Sequence, residues 1–220
     1  MTHFISANFF EFFIGLAQHN RKSWFDEHRS DYELWVKQPF HALVAAMQEQ
    51  LGEPYTEQKT SDLIFRINRD IRFSKNKEPY KLHMAAAFSP QGKKDMMHPG
   101  FYFQIGVEQC AVYMGIYNPD AITVDRIRRH LAANSHELQS LLKAPSFKKY
   151  FGHVQGEEQK RLPADLARAV EQEPLIARKQ WYYAYEFEPE ALIDADCVSF
   201  LMKAYRAGKS MNDFLMRAWN

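Results

Sequence analysis

The stretch that most restricts what this chain can fold into is Ile64-Phe65-Arg66-Ile67-Asn68-Arg69-Asp70-Ile71-Arg72-Phe73-Ser74. Successive side chains on an extended chain point to opposite sides. Phe65, Ile67, Arg69, Ile71 and Phe73 therefore share one face, and Arg66, Asn68, Asp70, Arg72 and Ser74 the other. This pattern predicts a strand with one apolar face and one polar, cationic face. A basic, turn-rich segment follows through Lys75, Lys77, Pro79, Tyr80 and Lys81. Between Arg66 and Lys81 six cations stand against two anions, a local excess of +4 in a chain whose net charge is +1. Residues 82–88 read as the hairpin partner, and residues 101–107 and 110–117 as two further strands joined by Glu108-Gln109. Connections of hairpin length do not allow parallel crossovers, so the expected sheet is an antiparallel meander of about four strands.

Helical spacing governs both flanks. Phe9, Phe10, Phe12, Phe13 and Leu16 predict a core-facing helix over residues 6–18, capped by Ser6 or Asn8. A second helix, capped at Asn20 or Ser23, places Trp24, His28 and Tyr32 on one stripe. Pro39 is expected to interrupt it, and residues 40–51 form a third through Phe40, Leu43, Val44, Met47 and Leu51. After Pro119 the helical period returns through Val124, Ile127, Leu131, Leu138, Leu141 and Leu142, with a break near Asn134-Ser135. Residues 144–163 are polar, and Phe147, Tyr150 and Phe151 are expected to dock them. Residues 181–187 are a candidate strand, and two closing helices are expected on either side of Gly208-Lys209-Ser210. Helices, then strands, then helices define an α+β fold, expected as a single domain over residues 1–220, helical at 6–52, sheet at 63–117 and mainly helical at 119–220.

Composition narrows the function. Hydrophobic residues at 46%, aromatics at 15% and charged residues at 25% suit a packed, soluble protein and argue against disorder. The small net charge argues against a broad nucleic-acid footprint, which shows as a clearly basic domain. Cys110 and Cys197 have neither CxxC nor Cys/His spacing, so no disulfide framework or zinc site is expected, and a reducing cytoplasm is the expected location. No window approaches the ~18 consecutive apolar residues of a membrane span, so no membrane partner is expected. The nine histidines fall in no HxH or HExxH pattern, and no metal is expected. Serine-nucleophile, phosphate-loop and dinucleotide motifs are absent, so no cofactor is expected.

The polar strand face is the candidate site. Arginine's planar fork matches phosphate or carboxylate bidentately, and lysines add point charge. Arg66, Arg72, Lys75, Lys77 and Lys81 would be anion donors, with Asn68 orienting, Asp70 an acid/base candidate and Tyr80 alongside. Arg21, His28 and Tyr32 would form the opposing wall, with His28 a second acid/base candidate, Arg29 or Arg21 further anion donors and Tyr117 a hydroxyl donor. Arg69, which interrupts the apolar face, calls for a structural partner.

Taken together, Asn20-Arg21-x-x-Trp24-Phe25-x-x-His28-Arg29-x-x-Tyr32, the run from Phe65 to Lys81, and Gly115-x-Tyr117-x-Pro119 followed by Ile127-Arg128 resemble a family of about this length. It is widespread in bacteria and catalogued as a conserved domain of unknown function. The resemblance implies no activity, and it assigns no role to Arg178 or Lys179. Three readings stand: an anionic small molecule held on the sheet, with or without catalysis; nucleic acid or protein docking on the same basic edge; and a purely structural ion network.

Overall fold

In the computed structural model, which describes residues 4–219, the meander consists of β1 (His83–Phe88), β2 (Gly100–Gly106), β3 (Cys110–Ile116) and β4 (Trp181–Phe187). These form one antiparallel sheet in the order β1-β2-β3-β4, with helices before and after it, which makes the fold α+β. The membership differs from expectation: β4 is the fourth strand, and the 64–74 stretch is not a full ladder strand. It touches the β1 edge through an Ile64–Ala86 bridge and the Phe65 N–H to Ala85 C=O bond of 2.9 Å. It then pairs with its own return, Arg69 N–H to Pro79 C=O at 2.8 Å and Lys81 N–H to Ile67 C=O at 2.9 Å. Pro79 has no N–H to continue a ladder. The outward N–H and C=O of Tyr80 are both taken by the Asn20 amide, at 3.1 and 3.0 Å.

The described residues group into two compact units. The first holds the chain up to Phe88 with Tyr102–Val112 and Glu186–Met202. In it α1 (Ala7–Gln18) buries Phe9, Phe13 and Leu16. Ser6 stands at its N-cap without a side-chain bond. Next come α2 (Lys22–Glu27), the single turn α3 (Arg29–Asp31), a π-helical segment (Tyr32–Lys37), α4 (Gln38–Leu51) and the short α5 (Thr60–Leu63). Asn20 does not cap α2, because its amide is committed to Tyr80. Pro39 does not interrupt the helix. The wider π turn, marked by the Gln38 N–H to Glu33 C=O bond, runs into α4 with helical backbone at Lys37 and Gln38. Proline at the opening of α4 has no N–H that would require an acceptor. Phe40 on α4 meets Phe103 of β2 at 5.6 Å between ring centroids.

His83 opens β1 and is half-buried. Burial first, then the Lys81 charge, lowers its pKa from 6.5 to about 4. A histidine held neutral in the fold contributes fully above its unfolded pKa, and that contribution is lost as pH falls through the window from 6.5 to 4. His83→Asn should remove roughly 2 kcal/mol of this acid-side loss, after discounting for partial exposure. Urea midpoints at pH 7 and pH 4.5 check it: equal acid sensitivity in variant and wild type would refute the assignment.

The second unit holds Ser89–Phe101, Tyr113–Tyr185 and the chain from Lys203 on. Asp120 caps α6 (Ala121–Ala133), accepting the Thr123 N–H at 2.8 Å. Asn134 separates it from α7 (Ser135–Lys143), and α8 (Pro145–Tyr150) and α9 (Ala167–Gln172) follow. Phe147 and Phe151 dock their segment by meeting Tyr183 of β4 at 5.0 and 4.8 Å. The closing helix is continuous: α10 (Cys197–Met216) runs straight through Gly208. A Cβ there would lie 2.5 Å from Met114 Sδ and 2.9 Å from the Tyr183 ring, so this glycine serves close approach rather than a break. The buried Tyr183 hydroxyl sits 2.6 Å from Asn212 Oδ1 and 3.0 Å from Gly208 O, and Asn212 donates onward to Gly100 O at 3.0 Å.

Candidate functional site

The residues of the long basic motif lie on an exposed, irregular hairpin. Arg72 gives its fork to Asp70, Nε to Oδ1 at 2.9 Å and Nη2 to Oδ2 at 2.6 Å. The bond from Arg72 holds Asp70 below the usual carboxylate range, which makes it a weaker base. Lys77 donates to Ile71 O at 3.0 Å. Lys81 lies over the Phe65 ring at 5.4 Å, and burial, then the Arg66 charge, lowers its pKa. Arg69 reaches Glu78 through its backbone oxygen at 3.2 Å and its carboxylate at 3.6 Å, the structural partner expected for it. Asn68, Arg66 and Lys75 are exposed. Phe73 is not on the apolar face: a turn closed by the Ser74 N–H on Ile71 O breaks the alternation, and Phe73 is left 94% exposed.

The helical candidates form a packing joint. Tyr80 is buried and stacks on Phe25 at 4.2 Å, so the Asn20 and Tyr80 ends of two motifs meet through backbone bonds and a ring stack. Arg29 pairs with Asp26 at 2.5 Å and lies over Phe25 at 5.5 Å. His28 stacks on Trp24 at 4.0 Å with Nδ1 placed 2.9 Å from Trp24 O. Tyr32 is buried, with its hydroxyl 3.9 Å from Met84 Sδ, and burial pushes it up to about 12. Arg21 is exposed. Tyr117 belongs to the second unit, is 60% exposed and meets Tyr182 at 5.2 Å. His98 faces Asp95, with Nδ1 3.0 Å from both carboxylate oxygens.

A cleft of about 570 Å³ opens in the second unit where β3 leaves the sheet and β4 enters it. Asn118, Pro119, Val124, Asp125 and Arg128 line one part of it, and Glu157, Gln159, Lys179 and Gln180 line another. Two glycines let the backbone approach residues 180–182 closely beside it. Gly115 has φ +92 with Trp181 O 2.2 Å from where a Cβ would be, and Gly156 has φ +142 with Gln180 O at 2.1 Å. The segment 155–159 pairs with the opening of β4 and the residues just before it through Gln155–Tyr182 and Glu158–Arg178 bridges.

Arg128 is 4% exposed. Its Nε donates to Arg178 O at 3.3 Å, and its Nη2 to Arg178 O at 3.0 Å, Gln159 Oε1 at 3.0 Å and Ala177 O at 3.4 Å. Among the described residues its Nη1 has no hydrogen-bond partner, and no carboxylate is bonded to the guanidinium. The acids of the cleft are otherwise paired, Asp125 with Arg129 at 2.8 Å and Glu157 with Lys179 at 3.3 Å. Burial lowers the Arg128 pKa, and the nearby Asp125 charge acts against that shift without reversing it. Arg178 bonds Gly156 O, and its Nε is buried without a partner. Sequence reasoning placed Arg128 in a motif without a role and missed Glu157, Gln159 and Gln180. The available signal was an arginine at i+4 from Val124 and i−3 from Leu131, on the apolar stripe of its helix.

Among the described residues no group of three or more His, Cys, Asp or Glu side chains is gathered to hold a metal ion, and no helix is long and apolar enough to cross a membrane. What emerges is an α+β protein built on an antiparallel meander, with a polar cleft at the β3–β4 end of the sheet. The chain belongs to the conserved hypothetical protein family DUF2461, whose model matches residues 8–214. Among curated proteins none matches it.

Proposed function

We propose that this protein binds an anionic small molecule, carrying a phosphate or carboxylate, in the cleft walled by Arg128. The observation that carries this is the buried guanidinium with a free Nη1 edge and no bonded carboxylate. A buried cation is costly without a counter-ion, and an entering anion would supply one while taking charge-assisted bonds worth about 1.5–3 kcal/mol. Lys179 stands at the mouth in a pair with Glu157, and the amides of Asn118, Gln159 and Gln180 suit the neutral polar groups of such a ligand. This moves the anion site away from the Arg66–Lys81 hairpin, where the Arg72 fork is engaged by Asp70. The same reading puts the protein in the cytoplasm, supported by Cys110 and Cys197, which are both free thiols and buried.

The test is a thermal-shift panel of phosphate, sulfate, sugar phosphates and carboxylic acids. A ligand at 100 times its Kd adds about 2.7 kcal/mol, a rise of roughly 5–10 °C for a chain of this size. One ligand class should give that rise, and Arg128→Gln should weaken its binding tenfold or more. Ala121→Glu puts a repelling carboxylate on the exposed lip without touching the core and should do the same. Arg72→Ala should bind as wild type. Loss of the shift in Arg72→Ala, or its retention in both cleft variants, would place the ligand elsewhere.

A further inference from the structure

We infer that the hairpin tip around Phe73 is a docking site for single-stranded nucleic acid, separate from the cleft. Phe73 is 94% exposed, on the tip of a segment whose six cations and two anions leave a local charge of +4. The Arg72 guanidinium lies 5.8 Å from the Phe73 ring centre and is held there by its two bonds to Asp70. The aromatic is thus flanked on one side by a fixed cation and left open on the other. Arg66 and Lys75 have no hydrogen-bond or ion-pair partner among the described residues. Lys77 spends one donor on Ile71 O and keeps its charge. An open aromatic face beside free cations is the arrangement that stacks a base while the neighbouring phosphates are neutralised, and it needs no sequence readout.

Charge complementarity selects this occupant. A phosphate chain matches three free cations spread along a hairpin, whereas a lipid surface calls for a broader apolar face than one ring. The duplex buries its base faces in the stack, so the ring finds a partner only on unpaired bases. The modest net charge of the whole chain confines the contact to this tip and keeps the footprint to about three phosphates.

The experiment is fluorescence anisotropy with a labelled twenty-nucleotide oligo-dT. The wild type should bind at low salt, and three neutralised phosphates give a slope of about −2 in log K against log salt. Raising salt from ~50 to ~200 mM should then weaken binding roughly tenfold to twentyfold. Phe73→Ala, which removes an exposed ring and should leave the melting temperature unchanged, should weaken binding roughly fivefold to hundredfold at constant slope. Arg66→Gln with Lys75→Gln should flatten the slope toward −1. The inference is overturned by no binding at low salt, by equal affinity in Phe73→Ala, or by a duplex of equal length binding as tightly as the single strand. Capture by anionic phospholipid vesicles that depends on Phe73 and exceeds oligonucleotide binding would also overturn it.

Discussion

A Gly115→Ala chain is expected to melt about 10 °C below wild type. Gly115 occupies φ +92, and an added Cβ would lie 2.2 Å from Trp181 O and 3.0 Å from Tyr182 Cα. Both obstacles are backbone within the sheet, so no side chain can swing aside. Left-handed strain costs about 1–2 kcal/mol for an L-residue, and separating two hydrogen-bonded strands adds a comparable amount. A total of about 3–4 kcal/mol at 2–4 °C per kcal/mol gives the expected drop. Gly52 supplies the internal comparison. It has φ +71 but nothing within 4 Å of a new Cβ, so Gly52→Ala isolates the conformational cost and should lower the melting temperature by only a few degrees. Equal effects at the two positions would show that close approach at Gly115 contributes nothing.

Trp181→Ala should cost about as much by a different route. The indole is 1% exposed, and its Nε1–H donates to Leu175 O at 2.8 Å. Emptying such a site costs about 3–5 kcal/mol in lost transfer energy and residual cavity. Trp181→Phe refills most of the volume and strands the Leu175 carbonyl, so it should cost about 1–2 kcal/mol. Chemical denaturation of the three proteins checks the ordering. A phenylalanine variant as unstable as the alanine one would mean that the hydrogen bond, not the volume, holds this corner. Since Gln180 and Lys179 precede Trp181 directly and line the cleft, the same corner sets the cleft wall.

What could be read from the residues followed local periodicity. The helices over Phe9–Leu16 and Phe40–Leu51, the 181–187 strand and the Asn134 break each arise from neighbours along the chain, and each was legible. Four features escaped, three of them because they depend on partners distant in sequence. The alternation of residues 64–74 is real at Ile67 and Arg69, but whether an extended segment joins a ladder depends on what its backbone faces, and Asn20 occupies the outward side of Tyr80. Pro39 and Gly208 look like breakers in isolation; a π turn accommodates one, and tight packing against Met114 and Tyr183 requires the other. The cleft escaped for the same reason. Glu157, Gln159, Lys179 and Arg128 carry no common spacing and meet through the pairing of segment 155–159 with residues 177–182 and the Arg128 bonds to both. The density of charge drew attention to the hairpin, whereas burial of a single arginine distinguishes the cleft.

The two outer rims of the meander share one property. At β1 the neighbour is the Ile64–Phe65 segment, and at β4 it is the Gln155–Gln159 segment, each held by a few backbone bonds and neither straight enough to be a strand itself. A chain arriving at Ala85–Ala86 of β1 or at Tyr182 of β4 meets a crooked, already occupied border instead of waiting amides. Both borders of the sheet are thus interrupted by a crossing segment, an arrangement that works against edge-to-edge addition of a further copy even though the strands are rich in aromatics.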